Sequence, residues 1–280
     1  MSGSFLLGIL LGMIGALLMN VGKGVQKQKV HVFLQGRAIF AKSNRRDLFL
    51  WLLGFVMTAG ATLPYSLGLK LSQAPSTISA MTGIGLIGLV VYAVKVIGEK
   101  MSKKDVLGIS MVILCTSILG YLGASGTPPE REFVRADLVK WIVVLLALAA
   151  CFCIVALFWQ RIHGLAFGST AGMCIGIAIF LGDAAILRAG GSFTGQFSNP
   201  YPYVALGFAA SATVITQIGF VKSRAIEVVP AVNSATILTP LILEVAIYPV
   251  SPPASFLALI VLILTGVFLL STGAAAAASG

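Results

Sequence analysis

Nine apolar runs divide the chain, and each is long enough to cross a lipid bilayer. About 20 helical residues, at ~1.5 Å rise each, cover the ~30 Å hydrocarbon layer. A soluble domain of this length would carry roughly a quarter charged residues, whereas this chain is 10% charged and 58% hydrophobic. The sequence therefore predicts an all-α polytopic membrane protein. Its nine transmembrane helices are expected at 4–22, 48–70, 74–98, 105–123, 138–159, 164–189, 201–221, 226–249 and 254–272.

The formal net charge of +10 comes from basic residues that lie in the connectors between the apolar runs. They form no single surface, which excludes nucleic acid as a partner. Their distribution is instead typical of charges that orient membrane helices. Most of them fall on the side that holds the connector 23–47, so we expect this side to be cytoplasmic. The predicted location is the plasma (inner) membrane, with the N-terminus outside and the C-terminus inside.

The connector 23–47 is both apolar and basic. It contains the run VHVFLQGRAIF, which is too short to span a membrane. This composition suits a segment that lies on the anionic lipids of the inner leaflet. An ordinary cytoplasmic loop is the alternative.

Two sets of four predicted helices resemble each other. Gly8 and Gly12 recur with the same spacing as Gly168 and Gly172. Because the fifth helix lies between the sets, the second set must run with inverted topology. Inverted repeats place a solute site at the interface of the halves and indicate alternating access. We predict a first repeat at 1–123, a linker and central helix at 124–160, a second repeat at 161–273 and a tail at 274–280.

Glycines recur along one side of the first and sixth predicted helices. Without a side chain, a helix backbone can approach its neighbour closely. We therefore expect helix packing at Gly8, Gly12, Gly15, Gly168, Gly172 and Gly176.

Polar residues share one face of the eighth predicted helix. Asn233, Thr236, Pro240 and Glu244 are spaced three, four and four apart, which places them together on a 3.6-residue helix. A carboxylate inside a membrane costs at least a few kcal/mol, so it usually faces the protein interior or a watery cavity. This face is a predicted solute path. Alternatively, Asn233 and Thr236 are hydrogen-bonding contacts between helices, and Pro240 is a tolerated kink.

A second carboxylate, Asp183, is expected at a similar depth to Glu244. If both face the cavity, they can bind a cation or exchange a proton with it, because desolvation raises the pKa of a carboxyl group. Any metal ligands would be these two residues. The alternative for Asp183 is an ion pair with Arg188 or Lys70.

Other polar residues are weaker candidates for the path. These are Thr62 and Tyr65 in the second predicted helix and Gln217 in the seventh. Hydroxyl groups in membrane helices often bond their own backbone instead. Glu99 and Lys95, four apart, are expected to form an interfacial salt bridge.

The chain contains no recognisable enzyme constellation. P-loop, HExxH, nucleophile-elbow and paired Cys/His patterns are absent from the sequence. We therefore expect neither an enzyme nor a cofactor.

Two runs, PYSLGLKLSQAPSTIS and IGEKMSKKDVLGISMVILCTSILGYL, resemble the drug/metabolite transporter superfamily. The matching positions are Leu69-Lys70, Gly98-Glu99 and Leu107-Gly108. The nine-helix plan, the basic connector and the run VITQIGFVKSRAIEVVPAVNSATILTP are more similar to its NIPA-like branch of magnesium transporters than to ten-helix EamA-type exporters. The chain departs from that branch at Gly60-Ala61, where the pattern has an acidic residue. The resemblance implies a central cavity lined by helices 1, 2, 3, 6, 7 and 8.

The predicted function is secondary transport of a small solute or cation by alternating access. One alternative is a magnesium or other divalent-cation transporter. Another is a non-transporting membrane subunit built on a transporter fold. The sequence leaves open whether the protein acts as a homodimer or within a membrane complex.

Overall fold

The computed structural model describes residues 3–72, 75–124, 135–190, 194–247 and 254–278. Every regular element within these ranges is helical, as predicted. Their α-helices are α1 (Gly3–Lys29), α2 (Arg45–Gly60), α3 (Thr62–Ser72), α4 (Pro75–Tyr92), α5 (Lys103–Ala124), α6 (Arg135–Phe158), α7 (His163–Arg188), α8 (Tyr201–Lys222), α9 (Ala225–Ile247) and α10 (Ala254–Ala278). Most of the predicted outer linker, 125–134, lies outside the described residues.

Seven helical segments in the described part of the chain are long and apolar enough to cross a membrane, so the chain is an integral membrane protein. They are Ser4–Gly36, Lys42–Gly68, Asp137–Phe158, Gln160–Ile186, Tyr201–Lys222, Ala225–Ile247 and Ala254–Thr272. The predicted third and fourth spans coincide with α4 and α5, which are not among the seven. The count of nine spans and the inverted repeat stay predictions.

Helix α1 is longer than the sequence suggested. The first span was predicted to end at residue 22, with Lys23 in the following connector. Instead α1 continues to Lys29, and a 3-10 helix follows at Val30–Phe40. The Lys23 side chain is only 7% exposed. A basic residue normally marks the end of a membrane span. Lys23 instead lies inside this bundle, because the Asn233 side chain accepts a hydrogen bond from it there.

The predicted second span is divided into α2 and α3 at Ala61, but the backbone stays helical there: the Ala61 N–H donates to the Met57 carbonyl oxygen over 3.0 Å, and the Ala61 carbonyl oxygen accepts the Tyr65 N–H over 3.2 Å. Pro64 has no N–H to donate to the carbonyl of Gly60, four residues earlier, so one hydrogen bond of the helix is missing. This junction lies against α1 at Gly15. A Cβ atom added to Gly15 would be 2.9 Å from both Cβ and N of Tyr65. Close packing of α1 on α3 thus depends on a glycine here. The helix α9, by contrast, is continuous through Pro230 and Pro240.

The helices pack in two groups. In the first group α1 contacts α2, α3 and α4, and in the second group α7 contacts α8 and α9. The helices α5 and α10 pack on each other, and α6 packs mainly on α7. Helix α9 is the most buried: every residue from Ala225 to Ala235 is inaccessible to solvent or nearly so. Polar side chains on that segment therefore lie inside the protein.

The glycines predicted to pack helices lie at two of these contacts. A Cβ on Gly68 of α3 would be 2.8 Å from the Gly8 carbonyl oxygen and from the Gly12 nitrogen. On α7, a Cβ on Gly168 would be 2.7 Å from the carbonyl oxygen of Val228, and a Cβ on Gly176 would be 2.5 Å from Cβ of Thr239. The absence of a Cβ atom at these glycines therefore lets α1 approach α3, and α7 approach α9, closely.

Candidate solute-binding cavity

A cavity of about 540 Å³ lies between helices of the two groups. Its walls come from α1, α2, α7, α8 and α9, with Thr62 at the start of α3. Part of the lining is apolar, including Phe55, Ile175 and Leu206. The polar part is formed by Lys23, Gln26, Thr58, Gln217, Asn233 and Thr236, together with further threonines. A volume of this size and mixed lining are typical of small-molecule sites.

A chain of three buried side chains joins α1 to α9 at the cavity wall. The Lys23 Nζ donates to Asn233 Oδ1 over 2.8 Å. The Asn233 Nδ2 donates to Asn20 Oδ1 over 2.7 Å. The Asn20 Nδ2 in turn donates to the Ala16 carbonyl oxygen over 3.0 Å. Asn233 therefore has both of its polar atoms bonded to α1.

A second set of polar side chains joins α1, α2 and α8. The Gln26 Nε2 donates to Thr58 Oγ1 over 3.0 Å and to the Gly54 carbonyl oxygen over 3.2 Å. The Gln217 Nε2 donates to Gln26 Oε1 over 2.7 Å, and Trp51 Nε1 donates to Gln217 Oε1 over 2.9 Å. These bonds fix the orientation of both glutamine amides beside the cavity.

Lys23 gives the cavity wall a cationic group. An ammonium carries three N–H donors, and the one contact described above is with a neutral amide oxygen. Ion pairs in the described part of the chain include those of Lys29 and His31 with Asp47 and those of Arg224 with Asp105 and Glu227. No carboxylate lines the cavity in that part of the chain. The electrostatic character of the wall is thus positive.

The structure brings together four of the predicted path residues. Thr62, Gln217, Asn233 and Thr236 all line the cavity. Thr236 also donates to the Gly172 carbonyl oxygen over 3.4 Å, so it contributes to the contact between α7 and α9 as well.

The other predicted path residues are elsewhere. Tyr65 and Glu244 are half-buried and are not among the cavity-lining residues. The side chain of Asp183 lies outside the part of the structure that is described. Its pairing with Glu244, and a metal bound by the two, therefore stay predictions.

Sequence reasoning missed Asn20, Lys23 and Gln26. A signal was present, because positions 20 and 23 are three apart and share a face of a helix that continues past residue 22. Ending the helix at its first basic residue concealed that face.

At the end of the bundle where α4 and α8 end, Glu99 caps α9. Its Oε1 accepts the Ala225 N–H over 2.6 Å and its Oε2 accepts the Ile226 N–H over 3.1 Å. The predicted salt bridge with Lys95 was wrong, because the free N–H groups and positive dipole of a helix start attract the carboxylate more specifically. Burial raises the pKa of Glu99, and the two N–H donors offset only part of that rise.

Arg224 connects the same end of the bundle to α5. Its Nη2 lies 3.0 Å from Asp105 Oδ1, and its Nε lies 2.5 Å from Glu227 Oε1. Asp105 is fully buried, and its Oδ2 also accepts the Ser102 N–H over 2.7 Å. The first turn of α5 is thereby tied to the first turn of α9.

The fold and the cavity define an all-α integral membrane protein with buried polar side chains in the wall of a cavity. Comparison with protein-family models, curated proteins and solved structures finds no match for this chain. Membership of the drug/metabolite transporter superfamily therefore remains a prediction from the sequence motifs.

Proposed function

We propose that this protein is a secondary transporter that moves a small solute by alternating access. One observation carries the proposal: a cavity of about 540 Å³, lined by buried polar side chains as well as apolar ones, lies between the two groups of the bundle. Polar groups buried in a membrane protein are costly and usually mark a solute or ion pathway.

The contacts at one end of the bundle support alternating access. Glu99 and Asp105 belong to the predicted first repeat, and they bind Ala225 and Arg224 in the second. Such polar contacts can break and re-form as two halves rock, unlike a continuous apolar core. In this conformation they join the two predicted repeats at that end of the bundle.

Flux from proteoliposomes tests the proposal. The vesicles would be loaded with glycerol, succinate, inorganic phosphate, ethanolamine and Mg²⁺, and efflux of each would be measured by mass spectrometry or elemental analysis. Protein-free vesicles are the baseline. We expect at least one solute to leave faster from the protein-containing vesicles. Selective efflux of Mg²⁺ would instead favour the divalent-cation alternative. No efflux, together with co-purification in a stable larger complex, would favour a non-transporting subunit.

A further inference from the structure

We infer that the solute carries an anionic group, such as a carboxylate or phosphate, that binds Lys23 in the cavity wall. This inference rests on the proposed transport function and names its substrate class. It differs from the sequence-based expectation of a cation, which depended on Asp183 and Glu244.

The first step is the charge of the wall. A buried charged group is normally paired, because removing it from water unpaired is very costly. Lys23 is 7% exposed, yet its hydrogen-bond partner is the neutral Asn233 amide. The other two lysines on α1 have different partners. Lys29 forms an ion pair with Asp47, and Lys27 donates hydrogen bonds to the carbonyl oxygens of Phe220 and Ser223. An anionic solute would supply the counter-charge that the cavity wall lacks.

The second step is the set of donors around the ammonium. Thr58, Thr62, Thr213 and Thr216 line the same cavity, as do the amides of Gln26 and Gln217. The hydroxyls of Thr58, Thr213 and Thr216 already donate to carbonyl oxygens of their own helices, and both N–H groups of the Gln26 amide are used. Of these groups, the neutral donors left for a carboxylate or phosphate oxygen are the Thr62 hydroxyl and the second Nε2 N–H of Gln217, which uses the first on Gln26. A single ammonium with neutral donors nearby suits one anionic head group and is a poor site for Mg²⁺, which prefers carboxylate and other oxygen ligands.

The third step is access. Phe55 and Ala59 of α2, and Leu206 and Ala210 of α8, line the cavity and are also exposed at the protein surface. The cavity is therefore open between α2 and α8. Both helices are membrane-spanning segments, so this opening faces the lipid and would admit the head group of a single-chain lipid. A free anion would instead enter from an aqueous end of the bundle, because crossing the hydrocarbon layer as a charge is very costly. The two sources share the same chemistry at Lys23.

Binding to the detergent-purified full chain tests the inference. The probes are succinate, inorganic phosphate and glycerol 3-phosphate, with glycerol and ethanolamine as neutral and cationic comparisons, all at constant ionic strength. Lysophosphatidate carries a phosphate head on a single acyl chain and reports on entry as a lipid. Isothermal titration or thermal shift would measure the affinity. We expect at least one anion to bind and ethanolamine not to bind.

Variants show which positive charge is responsible for anion binding. Lys23→Met should weaken anion binding about 10-fold or more, as expected for loss of a charge-assisted hydrogen bond, whereas Lys23→Arg should restore part of it. Lys27→Met is the matched control, since Lys27 is on the same helix but does not line the cavity. An equal loss in Lys27→Met, or preference for ethanolamine, would overturn the inference.

The two proposals can fail separately. Efflux of glycerol, ethanolamine or Mg²⁺ without binding of any anion would overturn the anion inference and leave transport intact. Binding of an anion that depends on Lys23, without efflux of any solute, would support the anion site and overturn transport.

Discussion

Lys23 on α1 and Asn233 on α9 form a hydrogen bond of 2.8 Å, although 210 positions separate them in the sequence. Both side chains are buried, and both line the same cavity. The bond joins a helix of the first packing group to the most buried helix of the second. It therefore combines two roles: it holds the groups together, and it orients the cationic group of the cavity wall.

Replacing Asn233 with Asp should separate these two roles. A carboxylate beside Lys23 supplies the missing counter-charge, so we expect apparent thermal stability in detergent to be maintained or raised. The same change neutralises the cavity wall, and anion binding should fall about 10-fold or more. Asn233→Leu should lower stability by about 1–3 kcal/mol, because the buried ammonium loses its acceptor.

Ser234 provides the control for those variants. It neighbours Asn233 on α9, and its buried hydroxyl has no hydrogen-bond partner within the described structure. Removing an unpaired buried hydroxyl relieves its desolvation cost. Ser234→Ala should therefore leave thermal stability unchanged or slightly raised, with unchanged anion binding. A loss equal to that of Asn233→Leu would show that α9 is merely sensitive to any substitution.

The contact between α7 and α9 should not tolerate a methyl group at Gly172. A Cβ there would overlap the Val232 carbonyl oxygen and lie 2.7 Å from Cβ of Ala235. Overpacking of this kind typically costs about 1–3 kcal/mol, so Gly172→Ala should lower the thermal unfolding temperature in detergent.

Gly182 is the matched control on the same helix. A Cβ at this position has nothing within 4 Å, and alanine favours a helix over glycine by up to about 1 kcal/mol. Gly182→Ala should be neutral or stabilising. Equal destabilisation by both substitutions would contradict the close contact at Gly172.

Much of the fold could be predicted from sequence, since long apolar runs indicate helices whatever their partners. The missing hydrogen bond at the junction of α2 and α3 follows from Pro64, which is local information. The extension of α1 could not be predicted in the same way, because Lys23 is stabilised inside the bundle by a partner 210 residues away. Glu99 likewise caps a helix that begins 126 residues later. Such side chains acquire their roles only from long-range contacts.

Arg224 should matter far more to stability than Lys29, because its partner Asp105 is fully buried whereas Asp47, the partner of Lys29, is 28% exposed. Arg224→Met leaves the fully buried Asp105 carboxylate without its charged partner, which costs about 3–5 kcal/mol. Lys29→Met removes the partly exposed Lys29–Asp47 pair and should cost about 1 kcal/mol or less. Chemical or thermal unfolding of both variants measures the difference, and equal losses would contradict the structural importance of Arg224.

The Glu99 carboxyl should make stability depend on pH. Its pKa is raised in the folded protein, so the folded state retains this proton at pH values where the unfolded chain has lost it. Stability from this group is present below the ordinary glutamate pKa and is lost as pH rises through the raised value. Glu99→Gln cannot titrate, so it should flatten that part of a plot of unfolding temperature against pH. If Glu99→Gln left the slope of unfolding temperature against pH unchanged, Glu99 would not be the group that causes this pH dependence.

Efflux from proteoliposomes that contain Thr213→Trp or Thr265→Trp tests the cavity as the solute path most directly. Each threonine bonds a carbonyl four residues earlier in its own helix, Ala209 and Val261 respectively, but only Thr213 lines the cavity. If solute passes through the cavity, Thr213→Trp should reduce efflux about 10-fold or more, and Thr265→Trp should retain the wild-type rate. Wild-type efflux from folded Thr213→Trp protein would contradict passage through this cavity.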